Sequence, residues 1–327
     1  VEKMLLNLSK QEYYQDDVVR HGIIRSRTTY NYVREVTERY YEWVAIYPWY
    51  LLFLLKKSIK NLIVIEGPTA SGKTSLSIEL AKHFNTSILS ADSRQFYKEL
   101  EIGTAKPILE EQAGIHHYFI NSHSVTDEVS SAKFEKEGLQ ILEGIFYSND
   151  VAILVGGSGM FIDALCNGLD SIPTDINVKK QIQIEYDDYG TLPLLDELKS
   201  KDPEYFKTID KNNPMRIIRA IEVIRITGKS YSELRKSTPN KREFQIHKYV
   251  INHNRKALYD RINLRVDLMI ESGLIEEAKS VIQYRGLTTL NTVGYQEIFE
   301  YLDGDFTLQE AADKIKQNTR RYAKRQL

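Results

Sequence analysis

Short apolar runs alternate with stretches of helical periodicity from about residue 60 onward. Residues 63–65, 87–90 and 151–155 form runs of this kind. Runs that stay apolar are typical of parallel strands buried on both faces, and the amphipathic stretches between them favour helices. This order of elements predicts an α/β protein whose core is a doubly wound parallel sheet.

The pattern changes near Pro173, where helical stretches follow one another without strands. They lie at 177–189, 193–200, 213–227 and 230–237. A further apolar run at 246–251 predicts a return to the sheet, and helices follow at 256–272, 274–284 and from Leu308 to the end. We therefore divide the chain into an N-terminal extension (1–57), the first part of the core (58–172), a helical insertion (173–245) and the second part of the core (246–327).

The N-terminal extension differs in composition from the rest of the chain. It contains both tryptophans, and the stretch 43–55 is apolar except where Pro48 interrupts it. That stretch is too short to span a bilayer. One interpretation is a segment that docks on a membrane surface or a partner. We favour the other, a poorly packed or artefactual extension upstream of a natural start near Lys57.

A glycine-rich segment with a complete phosphate-loop pattern follows the first strand. Gly67-Pro-Thr-Ala-Ser-Gly-Lys-Thr74 matches G-x-x-x-x-G-K-[ST] at every fixed position and precedes a helical stretch at 75–82. In this context the glycines let the backbone curl around a phosphate, and N–H groups at a helix N-terminus point at the anion. Lys73 supplies a positive charge, and the Thr74 hydroxyl is suited to hold Mg²⁺. The sequence therefore predicts a site for a di- or triphosphate.

The overall composition is ordinary for a globular protein and leaves the partner open. The 327 residues are 42% hydrophobic and 27% charged, with a net charge of −1, which neither favours nor excludes nucleic acid. Local charge is more informative, because six basic residues and no acid lie between Lys314 and Arg325. A single cysteine, Cys166, excludes an internal disulfide. No signal pattern is visible, so we expect a cytoplasmic enzyme. We also expect a monomer with no membrane partner.

The position of one aspartate bears on the class of phosphate-loop enzyme. Asp92 follows the second strand, at the carboxyl edge of the sheet, where open α/β folds bind ligands. The strand at 151–155 ends in Gly156-Gly157, not in the aspartate that commonly helps ATP-using enzymes hold Mg²⁺. Asp92 is then either a metal ligand or loop cap, or a general base. An ATP-dependent kinase of a small molecule or nucleotide is the alternative function, and a nucleotide-gated binding protein is a third.

Eight colinear motifs resemble those of one enzyme family. Besides the phosphate loop they are Ser90-Ala-Asp-Ser-Arg-Gln-Phe-Tyr97, Ile102-Gly-Thr-Ala-Lys-Pro107, Val155-Gly-Gly-Ser-Gly159, Arg219-Ala-Ile-Glu-Val223, Arg261-Ile-Asn-Leu-Arg-Val-Asp267, Val293-Gly-Tyr-Gln-Glu297 and Thr319-Arg-Arg-Tyr-Ala-Lys-Arg-Gln326. Over residues 60–327 the chain is similar to the bacterial tRNA dimethylallyltransferases. The resemblance implies transfer of a dimethylallyl group from dimethylallyl diphosphate to N6 of the adenosine just 3′ of the tRNA anticodon. It also implies Mg²⁺ as cofactor and a phosphate loop that holds prenyl diphosphate in place of ATP.

The resemblance implies roles for the residues around the diphosphate. Asp92 matches the base that takes the N6 proton. Arg265 matches the arginine that neutralises the departing pyrophosphate, where a fixed cation stabilises developing charge, and Arg261, a turn earlier, is a second candidate. The loop residues that hold the diphosphate, Thr74 through Mg²⁺, are Gly67, Thr69, Ala70, Ser71, Gly72, Lys73 and Thr74.

On the tRNA side, the resemblance implies contacts to the adenosine and to the anticodon stem-loop. Ser93, Arg94 and Gln95 match, with Asp92, the segment that touches the flipped adenosine. Ser158 stands where the family usually has threonine and keeps the hydroxyl.

In the insertion, the match implies tRNA contacts at Arg216 and Arg219, in a run that begins with Met215 where the family often has a polar residue. Lys179 replaces an arginine, which keeps the charge but loses bidentate geometry. We expect the basic residues after Lys314 to contact tRNA phosphates, and the charged residues 276–279 to form a solvated helix face.

Overall fold

The structure, a computed structural model, describes residues 22–26, 59–170, 172–235 and 240–326. The chain divides into two compact units, of which one is Asn167–Lys241 and the other contains the residues before and after it. The helical unit begins and ends earlier than the predicted insertion at 173–245. It ends there because Arg242 is already bound to the sheet unit, where it donates to the Leu165 carbonyl at 3.0 Å and pairs with Glu135 at 2.7 Å.

The sheet unit is built on a six-stranded sheet in the described part of the chain. The strands lie in the order β1-β6-β2-β5-β3-β4, with neighbours parallel except for β1, which is antiparallel to β6. Every residue of β2, β3 and β5 is buried, as expected of strands covered on both faces. Their bounds are β1 (Gly22–Ser26), β2 (Asn61–Glu66), β3 (Ile88–Ala91), β4 (His117–Tyr118), β5 (Val151–Gly156) and β6 (Gln245–His253).

Helices cover both faces of this sheet, which confirms the predicted doubly wound fold. The helices of this part of the chain are α1 (Lys73–Phe84), α2 (Leu109–Gln112), α3 (Ser131–Ser148) and α4 (Gly159–Asn167). Because side chains alternate along a strand, Leu62 and Val64 of β2 pack with α3 and α4. Ile63 and Ile65 point to the other face and pack with α1.

The helical unit has a hydrophobic core of its own, formed by residues such as Ile182, Leu198 and Ile221. Two of its helices begin at an Asp-Pro or Asn-Pro pair, because the side chains of Asp202 and Asn213 accept hydrogen bonds from backbone N–H groups in the first turn. Its helices are α5 (Ile176–Tyr189), α6 (Leu192–Lys201), α7 (Pro203–Thr208), α8 (Pro214–Thr227) and α9 (Tyr231–Leu234).

The C-terminal helices belong to the sheet unit and form a second core beside the sheet, around the fully buried Tyr295. They are α10 (Arg255–Glu271), α11 (Leu274–Ser280), α12 (Tyr295–Asp303) and α13 (Leu308–Arg325), with a 3-10 turn at Ile282–Tyr284. The helix expected at 274–284 is therefore two elements. The strands and helices predicted for the core are otherwise present, with bounds that differ by a few residues.

The N-terminal extension is expected from the sequence to be poorly packed, but one part of it pairs with the sheet. Residues Gly22–Ser26 pair with Tyr249–His253 of the last strand, from Gly22 opposite His253 to Ser26 opposite Tyr249. Five residues with a single apolar pair, Ile23-Ile24, give too weak a strand pattern to recognise from sequence. The apolar stretch 43–55 lies outside the described residues. Among the helices that are described, none has the length and apolar character needed to cross a membrane.

Candidate active site

The phosphate loop between β2 and α1 has a backbone suited to an anion. Ala70 and Gly72 adopt left-handed conformations, with φ of 63° and 84°, which turns successive N–H groups toward one side. Gly72 is also the N-cap of α1, where the helix dipole favours negative charge. The Ser71 hydroxyl is buried and has no hydrogen-bond partner among the described residues. The loop therefore offers several donors to a phosphate group.

Side chains from distant parts of the chain hold this loop. His253, at the end of β6, donates from Nε2 to the Ser71 carbonyl at 2.7 Å. Gln326 accepts from the Thr69 N–H at 2.9 Å, and Arg265 donates to the Thr69 hydroxyl at 3.3 Å. The Thr69 backbone, predicted as part of the diphosphate grip, is thus bonded to Gln326 in this structure. Neither His253 nor Gln326 was assigned a role from the sequence.

The side chain of Lys73 folds back onto the first two residues of the loop. Its ammonium donates to the carbonyls of Gly67 at 2.9 Å and Pro68 at 2.6 Å. Burial lowers the pKa of Lys73 to about 8; the negative charge of Asp92 opposes this shift and the positive charge of Arg265 adds to it. A negatively charged ligand would raise the pKa of this lysine and favour its charged form.

Two cavities share a lining around Asp92. The first cavity, of about 460 Å³, is lined by the phosphate loop with Lys73 and Thr74, and by Arg261. The second cavity, of about 430 Å³, is lined by Ser93 and by residues of α10, α12 and α13. The residues that line both are Thr69, Asp92, Thr104, Ala105 and Arg265. The structure thus gathers the predicted diphosphate residues in one cavity, except Gly67, which lines a different one, and it places Asp92 where the first cavity adjoins the second.

Asp92 begins a tight turn directly after β3. Its carboxylate accepts a hydrogen bond of 3.1 Å from the Arg94 N–H, so its position is fixed by its own loop. The Arg94 guanidinium donates to the Thr289 carbonyl at 2.8 Å. Arg94 therefore closes the wall of the second cavity by binding the chain ahead of α12, and its predicted contact with an adenosine stays a prediction.

Hydroxyl groups form much of the polar surface beside Asp92. The Ser93 N–H donates to the Ser158 hydroxyl at 3.2 Å, and the hydroxyls of Ser158 and Tyr322 are hydrogen-bonded. Burial, and secondarily the negative charge of Asp92, raises the pKa of Tyr322 to about 12. Tyr322 is a site residue that the sequence interpretation did not single out, although it lies inside one of the eight motifs.

Gln95 holds the segment that contains Thr104 and Ala105. Its side-chain amide donates to the carbonyls of Thr104 at 3.3 Å and Ala105 at 3.4 Å, and it accepts from the Ser90 hydroxyl at 3.2 Å. Gln95 thus connects the end of β3 to the segment that lines both cavities.

The predicted tRNA contacts of the insertion lie in the helical unit. Lys179 of α5 and Arg216 of α8 are exposed. Arg219 instead pairs with Glu222 at 2.7 Å and donates to the Pro173 carbonyl at 3.1 Å. These bonds give Arg219 a structural role within its own unit, and its predicted contact with tRNA stays a prediction.

The six basic residues of α13 differ in what they contact, and Arg320 donates to the side-chain oxygen of Asn263 at 2.6 Å. Lys316 pairs with Asp267 at 2.5 Å and Lys314 approaches Glu300 at 4.0 Å, so acids balance these two charges. Arg325 lines the second cavity, and Arg321 and Lys324 are exposed. The charge available to a partner is therefore concentrated at the C-terminal end of the helix.

The residues of the first cavity fit a Mg²⁺ ion that arrives with a diphosphate. No group of three or more His, Cys, Asp or Glu side chains in the described ranges is arranged to hold a metal ion. Mg²⁺ often binds through one or two protein ligands, substrate phosphates and water. The Thr74 hydroxyl at the start of α1 lines this cavity and suits that role.

This fold and site are those of a P-loop-type α/β enzyme, and comparison with known proteins narrows the class. The family profile described as IPP transferase matches residues 95–327. The tRNA dimethylallyltransferase 1 of Phocaeicola vulgatus is 49% identical over 268 residues, which cover 82% of this chain and 89% of that protein. The chain belongs to the IPP transferase family.

Solved structures agree with this placement. The tRNA isopentenylpyrophosphate transferase of Bacillus halodurans is 37% identical, with a TM-score of 0.56 and coverage of 82% of this chain and 86% of that one. A eukaryotic dimethylallyltransferase acting on tRNA is 29% identical, with a TM-score of 0.70 and coverage of 82% and 69%.

Proposed function

We propose that this enzyme transfers a dimethylallyl group from dimethylallyl diphosphate to N6 of the adenosine just 3′ of the anticodon in tRNA. As a member of the IPP transferase family it is a prenyltransferase, a tRNA dimethylallyltransferase. The observation that carries the assignment of the site is the shared lining of the two cavities. One cavity has phosphate-binding chemistry, the other admits a second reactant, and Asp92 lies on both.

Asp92 is the general base in this proposal. N6 of the adenosine forms a bond to C1 of the dimethylallyl group while the bond from C1 to the diphosphate oxygen breaks. The proton that N6 loses goes to Asp92, and pyrophosphate leaves with the electron pair of the broken bond. A base has to lie within hydrogen-bond reach of the proton it removes, and the place of Asp92 on both cavities supports that requirement.

The first cavity stabilises the leaving group. Lys73 and Arg265 bring positive charge to it, with Arg261 on the same lining. Charges held in place before the reaction stabilise the negative charge that develops on pyrophosphate. The loop N–H groups and the Ser71 hydroxyl offer further donors. Mg²⁺, held by Thr74, would neutralise part of the diphosphate charge when bound.

The second cavity receives the adenosine once it has left the stack of the anticodon loop. Unstacking a base costs a few kcal/mol, and least where the base is already outside a duplex. Ser93, Ser158 and Tyr322 then offer hydroxyl groups beside the base. The exposed Lys179 and Arg216 supply phosphate contacts that position the stem-loop without reading its sequence.

The activity is tested with dimethylallyl diphosphate labelled in the prenyl group and an anticodon stem-loop RNA. We expect label in the RNA and one pyrophosphate released per label. A stem-loop with guanosine at the target position lacks the N6 amine and should take up none. ATP turnover without labelled RNA would instead support phosphoryl transfer. We place the enzyme in the cytoplasm, acting as a monomer.

A further inference from the structure

Glu277 of α11 departs from the solvated face predicted for residues 276–279. One of its carboxylate oxygens accepts from the N–H groups of Glu101 at 2.9 Å and Ile102 at 2.8 Å. The other accepts from the Gly103 N–H at 2.9 Å and from the Tyr295 hydroxyl at 2.5 Å. Three consecutive backbone donors and one phenol thus converge on a single side chain. Hydrogen bonds to an ionised acceptor are stronger than neutral ones, so this is a firm anchor for residues 101–103.

Tyr295 completes the anchor and explains the neighbouring glycine. The tyrosine is fully buried, and a Cβ atom added to Gly103 would lie 2.6 Å from its ring. Burial, and then the negative charge of Glu277, raises the pKa of Tyr295 well above its usual value, so the phenol stays protonated and donates. Two of the eight sequence motifs, Ile102–Pro107 and Val293–Glu297, therefore meet at Glu277.

The anchored segment leads directly into the wall that the two cavities share. Gly103 lines the second cavity, and Thr104 and Ala105 line both. Gln95 donates hydrogen bonds to the carbonyls of Thr104 and Ala105. Glu277 itself lines neither of these two cavities, so any effect it has on them passes through the segment 101–105.

We propose that Glu277, with Tyr295, is a positioning residue that fixes the segment 101–105 between the diphosphate and adenosine cavities. The inference rests on the proposed function and adds a residue that touches neither reactant. A displacement of about 1 Å at a reacting centre can lower a rate by roughly 100-fold. Holding Thr104 and Ala105 in place therefore affects the alignment of N6 with C1 more than it affects the binding of either substrate.

The test compares Glu277→Gln with Glu276→Gln. A glutamine has one acceptor oxygen, and its NH₂ group would face backbone donors, so part of the anchor is lost. Glu276 is the matched control, because it is exposed and approaches only Lys279 within its helix, at 3.8 Å. With enzyme in excess over labelled stem-loop, we expect the single-turnover rate constant of Glu277→Gln to fall by about 10-fold to 100-fold. We expect Glu276→Gln to match the wild type.

Single-turnover conditions separate positioning from simple loss of folded protein. A merely structural role would lower the melting temperature and the active fraction while leaving the rate constant of the active molecules unchanged. That result would overturn the proposal. The dissociation constant for dimethylallyl diphosphate should change by less than about threefold, because the phosphate loop is not touched. Transfer by the wild type is the reference, so a wild type without transfer refutes the proposed function and not this inference alone.

Gly103→Ala provides a second route to the same segment. The added methyl group would press on the Tyr295 ring and displace the segment without altering any ionisable group. We expect it to lower the same rate constant, and we expect the Glu277→Gln, Gly103→Ala double variant to be no more than about threefold slower than the slower single variant, because contacting residues are not additive. Losses that multiply would show independent effects and contradict the proposal.

Discussion

The side chain of Gln326 accepts a hydrogen bond of 2.9 Å from the backbone N–H of Thr69, across 257 positions of the sequence. The same amide donates to the Gly157 carbonyl at 3.0 Å. One side chain following α13 therefore connects the phosphate loop with the glycine-rich turn after β5. This couples the basic helix, a predicted tRNA contact, to the loop proposed to bind the diphosphate.

Replacing Gln326 with alanine should weaken the use of dimethylallyl diphosphate. Two hydrogen bonds are lost, each worth about 0.5–1.5 kcal/mol, so we expect kcat/KM for this substrate to fall by roughly tenfold. Gln317→Ala, at an exposed position of α13, is the control. Equal kcat/KM values for the two variants would show that the bridge has no part in substrate use.

Lys73 should take up a proton when the diphosphate binds. Its pKa is about 8 in the free protein, and the negative charge of the ligand favours the ammonium form. Calorimetry at pH 8 to 9, in two buffers with different ionisation enthalpies, should show net proton uptake, and affinity should fall as the pH rises above about 8. Lys73→Arg stays charged and should lose the uptake. Identical uptake in this variant would assign the titration to another group.

The same shift has a consequence for stability. The pKa of Lys73 in the folded protein lies below its ordinary value of 10.5, so the unfolded chain binds more protons between pH 8 and 10.5. The contribution of this lysine to the free energy of unfolding therefore rises with pH across that window. Below about pH 8 its destabilising effect is constant.

Arg265→Ala should lower kcat/KM by about 100-fold to 1,000-fold, the range for loss of one donor that stabilises developing charge. Arg265 lines both cavities, whereas Arg261 lines only the first of them. Binding of the stem-loop should be retained, as measured by direct titration. If Arg261→Ala causes the large loss and Arg265→Ala does not, then Arg261 is the arginine that neutralises the departing pyrophosphate.

Removal of residues 1–57 should destabilise the fold, because it removes β1 and leaves one edge of β6 unpaired. We expect a melting temperature lower by several degrees and more aggregation. Removal of residues 1–21 leaves β1 in place and is the matched control. Equal melting temperatures for the two shortened chains would mean that β1 adds nothing to stability.

The phosphate loop and Asp92 could be predicted from the sequence because their signals are local. The eight residues of the loop are contiguous, and they lie between a strand and a helix, which is the context that a phosphate loop requires. Asp92 could be placed at the sheet edge because a short apolar run ends just before it. The order of the apolar runs likewise predicted the parallel strands.

The supports of the site could not be predicted in this way. His253, Glu277 and Gln326 act on backbone groups far away in the chain, and their own surroundings carry no pattern that reveals the partner. A charged residue in a polar helix looks solvated until the fold shows what it contacts. For the same reason, the bonds of Arg94 and Arg219 to carbonyl groups were not anticipated.

The most direct test of the account is the single-turnover rate of Asp92→Asn. Asparagine keeps the size of the side chain but does not accept the N6 proton, so the rate constant should fall by about 100-fold to 10,000-fold, as is typical for loss of a general base. Binding of dimethylallyl diphosphate and of the stem-loop, measured separately, should stay close to wild type. A variant that binds both substrates and transfers the prenyl group at the wild-type rate would contradict the central role of Asp92 between the two cavities.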